Sequence, residues 1–298
     1  MRRFYPSRAG FVDSDFVETA PAGPYSAPMN RFPRRIAASM LAAAASWIPF
    51  IASGNPVAQT VRFADDRIAC EVSAPPGTDL GPVLAALPIA MKSALELVGA
   101  PEAPAQLALE VLPPPSFYKR LKALFRVDAF AMQTGDEIRL YPGHDPLKLA
   151  FRLGHELTHW LVCKRHPARP PLWLDEGLAQ QGGSAAAEVR ARTLKQDLAR
   201  PLPEQLAGNL FTLEELTGLR DYPRRAARSA AFYWQAEALA NALRRRLGPG
   251  EFQAFIGLVS VPQPPDWRVL LRERWYFSDW DMDWLAGQIQ PAAGRKQP

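Results

Sequence analysis

The stretch that decides the fold of this chain is His155-Glu156-Leu157-Thr158-His159. Two histidines four residues apart lie on one face of a helix, one turn from each other. That spacing lets two imidazole nitrogens reach a single zinc ion at about 2.0–2.1 Å. Glu156 follows the first histidine, where its carboxylate could hold a water activated by the metal instead of the metal itself. The stretch therefore predicts a helix that carries two metal ligands and a candidate catalytic base.

The predicted helix has clear limits in the sequence. Asp145 is a good N-cap, Pro146 is favoured at the first helical position, and the helix must end before Pro167. Apolar residues at positions 149, 150, 153, 157 and 161 give it a face to bury. We therefore expect the helix 146–165 to pack against the core.

A catalytic zinc site takes three protein ligands and keeps one position open. The favoured third ligand is Glu176, because the proline-rich loop 167–171 can turn the chain so that the next helix runs beside the first. Asp175 is the rival ligand, and His144 and His166 are the remaining candidates. The sequence thus predicts that a carboxylate from a second helix completes the site.

The downstream residues carry a family resemblance: Trp173-Leu174-Asp175-Glu176-Gly177-Leu178-Ala179. With the two histidines, they resemble the gluzincin zinc metallopeptidases, and more narrowly the peptidase MA-like family, in which a pattern like W-L-x-E-G-L-A carries the glutamate ligand. The resemblance implies one Zn²⁺ per chain, held by His155, His159 and Glu176. It also implies peptide-bond hydrolysis in which Glu156 is the general base. The helix that contains Tyr233 is similar to the family's tyrosine-bearing helix, which implies that its hydroxyl stabilises the oxyanion; a core aromatic is the alternative.

Two further features of the chain bear on this resemblance. The strand 138–141 resembles the edge strand on which these enzymes lay an extended substrate, so we expect a peptide or protein substrate bound as an added strand. Related enzymes often have a carboxylate where this chain has Gln180, and that carboxylate orients a ligand histidine. An amide oxygen can accept the same N–H but carries no charge, so we expect a less basic ligand. Gln181 also stands where an aromatic residue is common.

The order of the predicted elements indicates an α+β fold, with strands before helices. We expect a zincin-like domain over 59–298, with a strand-bearing part 59–145 and a helical part 146–298. The expected strand-bearing elements are paired strands in 59–77, a helix 80–98, a strand 107–112, a short helix 116–125, and a hairpin of strands 129–132 and 138–141. The expected later helices are 146–165, 173–181, 184–199, 213–219, 228–247, 251–260, 267–275 and 279–289.

The first 58 residues predict a tail with an export signal or a membrane anchor. The run 36–52 carries no charge, follows arginines at 31, 34 and 35, and ends near small residues, which is the order of a secretory signal. Its 17 residues are at the short limit for a spanning helix. Met29 begins a segment of ordinary signal length, so residues 1–28 either precede the true start or form a cytoplasmic tail. We expect a periplasmic or secreted domain, or one anchored through 36–52. Export permits a Cys70–Cys163 disulfide, although two free buried thiols are favoured.

Composition excludes several other classes of protein. The 298 residues are 48% hydrophobic and 22% charged, which is typical of a globular protein. Six arginines against three acidic residues in the first 58 positions account for much of the net charge of +5. The remaining domain is close to neutral, so we expect no nucleic-acid partner. Two functions stay open beside peptide hydrolysis: a weak or inactive zincin-fold scaffold, and an amidase that acts on cell-wall peptides.

Overall fold

The structure, a computed structural model, describes residues 57–64, 66–113, 131–198 and 203–290. The predicted signal 36–52 and the predicted short helix 116–125 lie outside these residues. The described residues contain a small N-terminal sheet, and most of the remainder is helical. This general arrangement is the one that the order of predicted elements indicated.

Five strands form the sheet, in the order β1-β2-β3-β5-β4. The strands are β1 (Val57–Phe63), β2 (Ile68–Ala74), β3 (Ala105–Val111), β4 (Ala131–Thr134) and β5 (Glu137–Leu140). The β1–β2 and β4–β5 pairs are antiparallel, and β3 runs parallel to both of its neighbours, β2 and β5. Buried and more exposed residues alternate along β2 and β3, because successive side chains of a strand point to opposite faces.

Among the described strands, β1 and β4 lie at the two ends of the sheet and β5 does not, so the expectation that strand 138–141 forms the edge was wrong. β5 pairs with β3 on one side and with β4 on the other. A two-residue turn joins β4 to β5, and its first residue, Gly135, has a φ of +60°, which glycine adopts readily. The two strands therefore pair antiparallel, with β4 on the outer side of β5. Among the described strands, the edge of the sheet nearest α2 therefore belongs to residues 131–134.

The helices are α1 (Gly81–Val98), α2 (Pro146–Arg165), α3 (Leu172–Leu194), α4 (Leu213–Gly218), α5 (Ala226–Leu247), α6 (Pro249–Val259), α7 (Trp267–Trp275) and α8 (Asp279–Gln288), with a 3₁₀ turn at Pro203–Leu206. Asp145 caps α2 as expected, accepting hydrogen bonds from two backbone N–H groups. The prediction of separate helices 173–181 and 184–199 was wrong, since α3 is continuous through Gly182 and Gly183. Cys70 and Cys163 are free thiols.

The helix α1 crosses from β2 to the parallel strand β3 and packs against α2 and α3. Among the described residues, it is the one helix with the length and apolar composition needed to cross a membrane. Half of its residues are buried inside the protein.

Glycines allow α2 and α3 to approach closely. A Cβ on Gly154 would lie 2.5 Å from the backbone oxygen of Gly182, and a Cβ on Gly182 would overlap the Thr158 hydroxyl. On another side of α3, a Cβ on Gly177 would overlap the backbone oxygen of Ala236 in α5. The glycines in α3 therefore set the distances to both neighbouring helices, although glycine weakens an isolated helix.

We expect Gly154→Ala to lower the free energy of unfolding by about 1–3 kcal/mol, because the added methyl group meets backbone that cannot move without separating α2 from α3. Chemical denaturation measures the change. Gly287→Ala is the matched control, since it also lies in a helix but has open space around its Cα. Equal stability of the Gly154→Ala and Gly287→Ala proteins would contradict the close approach.

Candidate metal centre

Three side chains from two helices converge in the interior. His155 and His159 come from α2, and Glu176 comes from the first turns of α3. The two Nε2 atoms lie 3.2 Å apart. Glu176 Oε2 lies 3.5 Å from His155 Nε2 and 3.6 Å from His159 Nε2. All three side chains are almost completely buried.

The converging atoms fit a metal ion. Glu176 Oε2 is buried and has no hydrogen-bond partner among the described residues. Two imidazoles and a carboxylate are the ligand types that zinc takes in catalytic sites. Ligands at about 2.0–2.1 Å on a tetrahedral zinc ion are separated from one another by about 3.3–3.4 Å. The three observed separations bracket that value, so these residues can hold one zinc ion with little rearrangement.

Asp175 orients His159 instead of joining the three converging atoms. Its Oδ1 lies 3.0 Å from His159 Nδ1. An ionised carboxylate only accepts hydrogen bonds, so Nδ1 carries a proton, and Nε2 is the nitrogen that a metal would bind in place of its own proton. Burial alone would lower the pKa of His159, but the charges of Asp175 and Glu176 raise it well above its ordinary value. Asp175, and not Gln180, is therefore the partner of His159.

His155 lacks the partner that His159 has. Its Nδ1 is buried and without a hydrogen bond among the described residues, so Gln180 does not orient this ring either. Burial, together with the charge of His159, lowers the pKa of His155 to about 4. A neutral imidazole is the form that binds a metal. The other candidates lie elsewhere: His144 is exposed before α2, and His166 caps its C-terminal end.

Glu156 occupies the place expected of a base beside the two histidines. Its side chain is buried, with 1% of its surface exposed, and the backbone N–H of Gln133 in β4 faces the carboxylate. Burial raises the pKa of Glu156 to about 7, and the charge of His159 opposes the rise. A carboxyl group with this pKa can take and release a proton near neutral pH.

Tyr222, which the sequence analysis did not identify, contacts Glu176 directly. Its hydroxyl donates a hydrogen bond to Oε1, whereas Oε2 is the oxygen near the two Nε2 atoms. Burial and the charge of Glu176 raise the pKa of Tyr222, so the hydroxyl stays protonated. Tyr233 is buried in α5 with its ring centroid 6.5 Å from that of Tyr222. The structure therefore places Tyr233 beside Tyr222, and Tyr222 at the candidate metal centre.

Arg169 is the second residue that the sequence analysis missed. It lies in the loop between α2 and α3, where its Nη1 is 3.2 Å from Asp175 Oδ2. Its position in a proline-rich loop just before Asp175 was the available signal, but charged loop residues are usually solvated.

Comparison with solved structures finds matches to M1 zinc metallopeptidases at low sequence identity. A mutant of a two-domain M1 zinc metallopeptidase bound to L-arginine matches with a TM-score of 0.47 and 15% identity, over 82% of this chain and 53% of that chain. An M1 zinc metallopeptidase from Deinococcus radiodurans matches with a TM-score of 0.44 and 15% identity, over 82% of this chain and 52% of that chain. This chain thus spans about half the length of these proteins. No protein-family model and no curated protein matches it.

We expect Tyr222→Phe to weaken zinc binding about tenfold, because the second oxygen of Glu176 loses its donor and the carboxylate can rotate. Competition with a chromophoric chelator measures the dissociation constant. Tyr276→Phe is the control, since Tyr276 is 86% exposed. A dissociation constant that stays at the wild-type value in Tyr222→Phe would show that this hydroxyl does not hold Glu176.

Proposed function

We propose that this protein is a zinc-dependent peptidase that hydrolyses peptide bonds. The observation that carries the proposal is the convergence of His155, His159 and Glu176 on one point, with the buried carboxyl group of Glu156 next to the first ligand in the chain. His155 and His159 would bind the ion through Nε2, and Glu176 through Oε2. When bound, zinc supplies a Lewis acid that polarises a carbonyl and lowers the pKa of water.

Glu156 is the proposed general base. Its carboxylate takes the proton of the attacking water and later delivers it to the leaving amine. Its buried position beside Gln133 keeps bulk water away and holds the acid form accessible near neutral pH. One group can therefore serve both steps without a change in its environment.

Two hydroxyl groups are candidates for stabilising the oxyanion. Tyr233 is the residue that the family resemblance indicates, and its ring lies against Tyr222. Tyr222 already donates to Glu176 and stays protonated because burial raises its pKa. We assign the oxyanion role to Tyr233 and the support of Glu176 to Tyr222, since a phenol has only one proton to donate.

The proposed substrate is an extended peptide or protein segment added to β4. An edge strand presents unpaired backbone N–H and C=O groups to an incoming strand. The backbone N–H of Gln133, in β4, contacts the Glu156 carboxylate. This contact places β4 beside the proposed general base, which supports β4 as the strand that binds the substrate. A segment seated along β4 would pass the general base.

We also propose that the domain works outside the cytoplasm, after export or while anchored through 36–52. The support is the charge-free run preceded by three arginines.

We expect Glu156→Gln to lower kcat for a peptide substrate by about 10²–10⁴-fold, because the amide cannot take the proton. Zinc content should stay at the wild-type level, whereas His159→Ala should lose both zinc and activity. Turnover of a quenched fluorescent peptide and metal analysis measure the two quantities. Glu214→Gln, on an exposed helical turn, is the control. Full peptidase activity in Glu156→Gln would exclude the proposed base.

The wild-type chain should contain one zinc ion, and Glu176→Ala should contain much less, because only the two imidazoles remain. Elemental analysis after dialysis measures the ratio, with Glu96→Ala as an exposed control. Cleavage of a generic unfolded protein should stop with a chelator and return with zinc. A zinc-loaded chain that cleaves no protein substrate, but releases cell-wall peptides, would replace the proposed function with the amidase.

A further inference from the structure

The guanidinium group of Arg169 bonds to two separate parts of the structure. Its Nη1 lies 3.2 Å from Asp175 Oδ2 in α3, and its Nη2 donates to Gln133 Oε1 in β4 at 2.5 Å. The Cys163 side chain also contacts it from α2. A third of the Arg169 side chain remains exposed. Solvent therefore screens its charge in part, and the directions of its N–H groups matter more than the ion-pair energy.

The contact of Arg169 with Asp175, here called the metal-side contact, connects it to the proposed metal centre. Asp175 is 3% exposed, and each of its carboxylate oxygens has a different partner. Oδ1 lies near His159 Nδ1, and Oδ2 accepts a hydrogen bond from Arg169. Both oxygens are therefore fixed, so the carboxylate cannot rotate without losing one hydrogen bond. Arg169 thus restrains the ring of His159 through Asp175.

The contact of Arg169 with Gln133, here called the strand-side contact, connects it to the edge strand β4. Gln133 is 3% exposed; its amide nitrogen donates to the Gly135 carbonyl, and its amide oxygen accepts from Arg169. The backbone of the same residue faces Glu156. Arg169 thus also restrains the place where β4 meets the general base.

We propose that Arg169 is a positioning residue that couples β4, as the substrate-binding strand, to the metal ligand His159. The inference rests on the proposed function, and it adds that the seat of the substrate and the metal centre share one restraint. A planar guanidinium with separate N–H groups can bond to both partners in fixed directions. A lysine ammonium carries three donors on a flexible stem and cannot hold the same two directions together.

Three variants separate the two contacts of Arg169. Gln133→Leu removes the strand-side contact, Asp175→Asn alters the metal-side contact, and Arg169→Lys weakens both. Arg165→Lys is the matched control, because Arg165 also donates to a fixed acceptor, the Val98 carbonyl, but lies away from the metal centre. The readouts are the zinc dissociation constant from chelator competition, KM and kcat for an extended peptide, and hydrogen exchange of amides 131–134.

Arg169→Lys should raise the zinc dissociation constant about tenfold, as loss of an outer partner of a ligand does, and should also raise KM and amide exchange in β4. Gln133→Leu should raise KM and exchange while the zinc constant stays within about twofold of wild type. Asp175→Asn should raise the zinc constant and leave exchange in β4 unchanged. A general structural role would instead lower stability in all three variants without this split.

Wild-type values throughout in Arg169→Lys would overturn the coupling, as would a loss of zinc affinity in Gln133→Leu equal to that in Arg169→Lys. These outcomes are distinct from failure of the proposed function. A wild-type chain that binds zinc but cleaves no peptide would remove the peptidase, while the zinc constants and β4 exchange would still decide the role of Arg169. A wild-type chain that binds no zinc would overturn both.

Discussion

The candidate metal centre depends on the close contact between α2 and α3. A carboxylate from one helix can reach two imidazoles on another only if the backbones come near each other, and here Gly154 faces Gly182 without side chains between them. Gly177 does the same on the α5 side, so α3 is held between two helices. The position of Glu176 is therefore set by backbone packing. The side chain only has to extend in an allowed rotamer to meet the two histidines.

The same contact creates an electrostatic conflict within the protein. The two imidazole Nε2 atoms and one carboxylate oxygen lie 3.2–3.6 Å from one another in the interior, and the oxygen has no hydrogen-bond partner among the described residues. Buried polar atoms without partners lower stability, so such an arrangement persists only where the surrounding structure enforces it. The enforcing groups are Tyr222 on Glu176 and Asp175 on His159. A divalent cation would remove the conflict, which is why the cluster is interpreted as a metal centre.

The sequence predicted the local elements of the site better than their surroundings. The spacing of His155 and His159 and the cap at Asp145 depend on helix geometry alone, and the structure has α2 at the predicted limits. The prediction that strand 138–141 forms the edge was wrong, because the order of strands in a sheet depends on long-range contacts. The alternation of residues within one strand cannot indicate that order. The prediction that a helix ends before Gly182 and a new one begins after Gly183 was wrong, because packing against α2 outweighs the low helix propensity of glycine. Tyr222 and Arg169 lie in loops, where no periodicity links a residue to its partner.

The adjacent acids at 175 and 176 show how one helical turn can serve a metal ligand from two sides. Neighbouring residues on a helix point about 100° apart, so their carboxylates diverge. The two nitrogens of an imidazole also lie on different sides of its ring. Asp175 therefore reaches Nδ1 of His159 while Glu176 lies near Nε2. The second oxygen of Asp175 accepts a hydrogen bond from Arg169, whose positive charge balances part of the charge of this carboxylate. The pair could supply both a ligand and its orienting group without a further carboxylate one turn later, where this chain has Gln180.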